Sequence, residues 1–234
     1  MTAKRQDELK SVARSLQRDL WQERQNIWTH APDADGVLPI PVDVIVRNLL
    51  AVTLEEPEEI PAIYRTPGFD TAGFIDRLGN RIVVAQKHRL EWRRFTIAHE
   101  IGHWVLHPNM NYHRDRPLNG GERANESRPQ HEQEADVFAA ELLMPEKMLN
   151  RKFIEAFGSP IDGRQPNHEL AFWLSAGTRR QVNEIEFSSD LRYRAMVIAE
   201  TSSLGSRRFT PLVKTFGVSP TAMAIQLEDL RLVV

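Results

Sequence analysis

Cysteine is absent from the 234 residues. That excludes a disulfide framework, a thiolate metal site and a cysteine nucleophile, so any metal must be held by histidine, aspartate or glutamate. Long apolar runs are absent as well. No stretch approaches the roughly 20 residues that cross a bilayer, and mean hydropathy is −0.44. The segment from Met1 to Lys10 lacks the apolar stretch of a secretory signal. The expectation is a soluble, cytoplasmic protein with no membrane association. Neither charge is in excess: 30 basic and 32 acidic residues leave a net charge of −2, which gives no overall pull toward nucleic acid or an anionic surface. The tryptophans (Trp21, Trp28, Trp92, Trp104 and Trp173) are scattered, so they suggest packing rather than a base-stacking platform. What is present is an ordinary globular composition, 41% hydrophobic and 26% charged, with enough apolar side chains for a core.

Hydrophobic periodicity divides the chain into three parts: an N-terminal helix and connector over 1–35, a core over 36–150, and a mostly helical region over 151–234. From Ala3 to Trp28, Leu9, Val12, Leu16 and Leu20 recur at three- and four-residue steps among charged residues, which predicts an amphipathic helix lying on the body of the protein. Val42 to Leu50 has a short helical pattern, and Ala51 to Leu54 a short strand pattern. Gly73 to Asp76 and Arg81 to Ala85 are rich in strand formers and flank Gly79-Asn80, which predicts a hairpin. A helix is expected from Leu90 to Leu106, stopped by Pro108. The polar stretch from Asn109 to Pro129 is expected to be an exposed, mobile loop. A further helix is predicted from His131 to about Pro145. Phe209 to Leu232 should form two short helices broken at Gly217-Val218-Ser219, with Ser219 as N-cap and Pro220 at the first helical position.

The chemistry is concentrated in His99-Glu100-Ile101-Gly102-His103. Residues four apart share a helical face, so both imidazoles can be aimed at one ion, with the Glu100 carboxylate beside them as general base. This is the HExxH arrangement of zinc hydrolases. A catalytic zinc needs a third protein ligand and one open position. Metzincins take that ligand from a histidine ten residues after the first; here that position is Asn109, which excludes the class. His107 lies two turns from His99, too far to complete a compact tetrahedron, and is read as structural or supporting. The segment starting at His131 offers Glu132 and Asp136 on one helical face. Glu132 is expected to ligate, and Asp136 to accept a hydrogen bond from a ligand histidine and fix its tautomer. Glu134 lies about 200° round the helix from Glu132; a solvated face is its ordinary role, and it is the alternative ligand. His131 is expected at the surface. Tyr112, His113 or a loop arginine could stabilise the oxyanion, and the sequence does not choose among them. Ala135, Phe138, Ala139 and Leu142 form the stripe that would pack this helix on the HExxH helix.

The run from Arg94 to His103, followed by Glu132-x-Glu134-Ala135-Asp136-x-Phe138-Ala139-Ala140-Glu141-Leu142-Leu143-Met144-Pro145, resembles the ImmA/IrrE metallopeptidases. Leu38 to Val42, the Ala72-Gly73-Phe74 strand and the closing Phe216 to Ser219 also fit. The resemblance runs from about Pro39 to Pro145, resumes near Phe209, and is poor over the first ~35 residues and over Lys147 to Arg208. It implies an α+β fold: a small sheet packed on the HExxH helix and a Glu-bearing helix, with helical N- and C-terminal additions. It also implies a cytoplasmic zinc endopeptidase that cleaves a helix-turn-helix transcriptional repressor and so switches genes on. By motif matching, His99, His103 and Glu132 hold Zn²⁺ and Glu100 is the base.

Two other readings compete. One is DNA binding by the helix-turn-helix-like end. Its second helix carries Glu228 and Asp229 and one basic residue, Arg231, which offers little to phosphates, so packing is expected and direct nucleic-acid contact is not. The other is a metal-binding regulatory module that acts through a protein partner or DNA without proteolysis.

Overall fold

A computed structural model describes residues 1–30, 32, 37–64, 71–110, 112–115 (backbone), 128–163, 167–178 and 180–234. These fall into two compact units, Met1–Leu143 and Met144–Val234. The architecture is α+β.

The first unit opens with α1 (Ala3–Ile27), capped where the Thr2 hydroxyl accepts from the Arg5 amide at 3.3 Å. Its buried stripe is Leu9, Ala13, Leu16 and Leu20. Ala13 takes the place expected of Val12, because steps of four, three and four keep the stripe on one side of a 3.6-residue helix. Next comes α2 (Val42–Val44), which continues as a π-helical turn, Ile45–Leu49. The short strand β1 is Thr53–Glu55.

The hairpin forms as the sequence predicts, from β2 (Gly73–Asp76) and β3 (Arg81–Val84). They pair antiparallel with Phe74 opposite Val83 and Ile75 opposite Ile82. Asn80 takes a positive φ of 49° in the turn, a conformation that asparagine tolerates better than most residues. β1 joins β3 in parallel. The other neighbour of β2 is β4 (Tyr112–Asp115), antiparallel, with Gly73 opposite Asp115 and Asp76 opposite Tyr112. The order is β1-β3-β2-β4. The expectation of a loop from Asn109 to Pro129 is thus corrected at 112–115, where pairing to β2 makes a strand of a polar tetrapeptide. The stretch 116–127 of that loop lies outside the described residues.

Alternation along the strands gives the two faces different cover. Phe74 and Val83 pack with Ile60 and Ala85, and Tyr64 lies against them. Gly73, on the opposite face, looks at helix α3 (Leu90–Leu106), where an added Cβ would sit 2.8 Å from Thr96 Cγ2. From Ile97 to His103 every residue of α3 is buried, because the helix is covered by the sheet on one side and by α4 (Gln130–Leu143) on another. Ala135, Phe138, Ala139 and Leu142 are all fully buried on α4. α1 packs on α4 as well. Gly102 lets α3 and α4 approach: a Cβ there would lie 3.2 Å from the Ala135 Cα and 3.1 Å from Phe138 Cδ1.

Among its described residues the second unit is helical apart from one hairpin and a parallel bridge between Ile161 and Val233. It comprises α5 (Glu146–Phe157), α6 (His168–Thr178), α7 (Val182–Phe187), α8 (Leu191–Glu200), β5 (Ser203–Leu204) paired with β6 (Arg207–Arg208), α9 (Leu212–Phe216) and α10 (Pro220–Asp229). The two closing helices break where expected. Gly217 ends α9 in the left-handed region at φ 63°, and Ser219 caps α10 by accepting from the Ala222 amide at 3.2 Å, with Pro220 in the first turn. Glu228 of α10 is held by the Arg192 guanidinium of α8, with Nη2 to Oε2 at 3.1 Å. No helix among the described residues is long and apolar enough to cross a membrane.

Candidate metal centre

α3 and α4 bring three donor groups to one point. His99 and His103 stand one turn apart on α3 with ring centroids 4.7 Å apart, and their Nε2 atoms approach to 2.9 Å. Glu132 enters from the first turn of α4, its Oε2 at 3.3 Å from His99 Nε2 and its Oε1 at 3.6 Å from His103 Nε2. One ligand atom from each of the three lies within 4.8 Å of the others, and all three residues are buried. Two imidazoles and one carboxylate crowded this closely, away from water, suit a divalent cation. The three residues could hold a metal ion.

The orientation of His99 has a clear cause. Its Nδ1 is 2.9 Å from Asp136 Oδ1. A carboxylate only accepts, so Nδ1 carries the hydrogen and Nε2 keeps its lone pair facing Glu132 and His103. Asp136 is fixed in turn by Arg128, which donates from Nη1 to Asp136 Oδ2 at 2.8 Å and from Nη2 to Glu132 Oε2 at 3.0 Å. One guanidinium therefore spans two carboxylates that would otherwise repel each other. Sequence reasoning missed Arg128 as a named site residue. Its signal was the four-residue step to Glu132, the spacing at which opposite charges meet along a helix.

Glu134 has a different setting from the solvated face that is its ordinary role. It is buried on α4, and Arg5 of α1 donates to it twice, from Nε to Oε1 at 3.1 Å and from Nη2 to Oε2 at 2.6 Å. Gln130 Nε2 donates to Oε1 at 2.8 Å. The Arg5 hydrogen bonds pull the Glu134 carboxyl down to about 2. His107 reaches the same carboxylate, Nε2 to Oε2 at 3.3 Å, and its Nδ1 faces His103 Nδ1 at 3.1 Å. Burial holds the His107 imidazole below its ordinary range. His131 lies at the rim, its side chain 37% exposed and its Nε2 at 3.3 Å from Glu132 Oε1.

Glu100 is wholly buried. Its Oε1 would be 3.1 Å from a Cβ on Gly73, so β2 leaves space for this carboxylate by carrying glycine at that register. The C-terminal end of α3 is tied down by Arg77 in the hairpin turn. Arg77 Nη2 donates to the carbonyls of His103, Trp104 and His107 at 3.0, 2.7 and 3.1 Å, and its Nε to that of Met110 at 2.8 Å. Its guanidinium also lies 4.5 Å from the centroid of the Trp104 ring. A cation on the last carbonyls of a helix meets the negative end of the dipole. Of the candidate oxyanion groups, Tyr112 and His113 have only their backbone described, in β4, and the loop residues 116–127 lie outside the described residues.

A buried helix bearing HExxH, met by a glutamate from the following helix, is the framework of a metallopeptidase. Residues 62–157 match Peptidase_M78, the IrrE N-terminal-like domain, which agrees with the resemblance carried by the motifs. No curated protein matches the chain.

Proposed function

We propose that this protein is a zinc-dependent endopeptidase of the cytoplasm that cleaves a helix-turn-helix transcriptional repressor. The observation that carries the metallopeptidase reading is the convergence of His99, His103 and Glu132 within 4.8 Å, with Glu100 next to His99 on the same buried helix. His99, His103 and Glu132 would hold the ion, and this donor set favours zinc. When bound, zinc acidifies water and polarises the scissile carbonyl as a Lewis acid. Glu100 takes the proton of the attacking water on its carboxylate and returns it to the leaving amine. Asp136 keeps the His99 hydrogen on Nδ1, and Arg128 keeps Asp136 and Glu132 side by side. The repressor as substrate rests on the resemblance to the ImmA/IrrE metallopeptidases.

The test uses purified full-length protein, zinc and a helix-turn-helix repressor encoded beside it, with products read by mass spectrometry. Wild type should yield two fragments from one internal bond. Glu100→Gln should keep its zinc and lose cleavage by at least about 100-fold, the range of a general base. Equal cleavage by Glu100→Gln would sink the mechanism. Intact repressor in every reaction, with zinc bound, would remove the substrate assignment and favour a regulatory module that binds metal.

A further inference from the structure

The two ligand histidines are held at their other nitrogens by routes of unequal length. His99 is fixed locally, through Asp136 and Arg128. His103 is fixed from much further along the chain. Its Nδ1 meets His107 Nδ1 at 3.1 Å, His107 Nε2 meets Glu134 Oε2 at 3.3 Å, and Glu134 accepts both Arg5 donors. The hydrogens along this route have one consistent order. A carboxylate held by a guanidinium only accepts, so His107 Nε2 supplies the hydrogen to Glu134. The hydrogen of His107 is thereby committed, and its Nδ1 is the acceptor. The hydrogen shared by the two facing Nδ1 atoms then belongs to His103. That leaves the lone pair of His103 on Nε2, the atom that faces His99 Nε2 and Glu132.

We propose that Arg5 of α1 is a positioning residue for the metal centre, acting through Glu134 and His107 to hold His103 in its metal-ready tautomer. This rests on the reading of His99, His103 and Glu132 as ligands. It gives α1 a role beyond covering α4. Further ties of α1 to α4 lie off the route: Gln17 Nε2 donates to the carbonyls of Glu141 and Leu142 at 2.7 and 3.0 Å, and Arg14 pairs with Glu141 at 3.5 Å. Gln17 therefore provides a control that loosens the docking of α1 without touching the chain of hydrogen bonds.

The experiment measures zinc affinity of the full chain by competition with a chromogenic chelator, for wild type, Arg5→Met, His107→Phe, their double variant, Gln17→Leu and Glu132→Ala. His107→Phe should bind about 10-fold more weakly or worse, the usual cost of losing an outer partner of a ligand histidine. Arg5→Met should weaken binding several-fold. The double variant should be no weaker than His107→Phe alone, since residues acting in series do not add. Gln17→Leu should stay within about twofold of wild type. Wild-type affinity in Arg5→Met, additive losses in the double variant, or an equal loss in Gln17→Leu would each overturn the proposal. If Arg5→Met does not fold, Arg5→Lys replaces it and the same comparisons apply, with a smaller loss expected. Zinc binding by Glu132→Ala equal to wild type would mean that the ligand set itself is wrong, a failure distinct from that of the Arg5 route.

Discussion

Glu132 and Glu134 are neighbours but one residue on α4, both buried, and they serve opposite sides of the helix. Two helical steps rotate a side chain by about 200°, so one carboxylate meets His99 and His103 while the other meets Arg5. That separation was legible in the sequence, and so was the pairing of Asp136 with a histidine. The identity of the group facing Glu134 was not, since Arg5 stands 129 residues away and only the packing of α1 on α4 brings it near. The consequence for pH can be worked out with its sign. Arg5 lowers the Glu134 carboxyl to about 2 from an ordinary 4.5. A carboxylate depressed on folding contributes stability above the unfolded value, and that contribution is lost as pH falls from 4.5 through about 2. Glu134→Gln should be less stable than wild type at neutral pH and should lose less on acidification. Thermal midpoints of the metal-free protein across that acid range would check it; parallel curves for the two proteins would contradict it.

At the scale of elements, the helices and the hairpin follow from periodicity because each depends on its own residues. α3 runs from Leu90 to Leu106 as read, and α4 starts one residue ahead of His131. β4 escaped because its tetrapeptide carries no apolar alternation; it is a strand through its ladder to β2, and strand preference depends on the partner more than on the segment itself. Gly102 shows how two elements set the site together. Alanine there gains about 1 kcal/mol of helix propensity. It also drives a methyl into the Ala135 backbone at 3.2–3.3 Å, and overpacking of this kind costs roughly 1–3 kcal/mol. The net change for Gly102→Ala should be a loss of about 1 kcal/mol in urea denaturation. Because the proposed ligands sit on both helices, zinc affinity should fall as well. An unchanged affinity would mean that the separation of α3 and α4 does not govern the site. Gly73→Ala tests the sheet side: a Cβ 2.8 Å from Thr96 and 3.1 Å from Glu100 should lower cleavage while zinc stays bound.

For the molecule as a whole, the proposed metal is linked to folding by mass action. A ligand that binds only the folded state stabilises it by about 2.7 kcal/mol at one hundred times its dissociation constant. Adding zinc should raise the thermal midpoint of wild type, and Glu132→Ala should abolish the rise. A shift of equal size in that variant would assign the stabilisation to another site. Composition had little to say about the arrangement at this scale. It fixed a globular class and left open which apolar stripe meets which, because pairing of helices is decided by shape and by ion pairs between distant segments.

The docking of α1 on α4 also orders events during synthesis. Roughly 120 residues separate Leu20 from Leu143, and a ribosome adding about 5–20 residues per second needs roughly 6–25 s to translate them. Throughout that interval the stripe of Leu9, Ala13, Leu16 and Leu20 has no α4 to cover it, and His99 and His103 are made before Glu132 exists. The nascent chain therefore presents an apolar helix that suits transient chaperone capture, and the proposed metal site is complete only after Glu132 has left the exit tunnel.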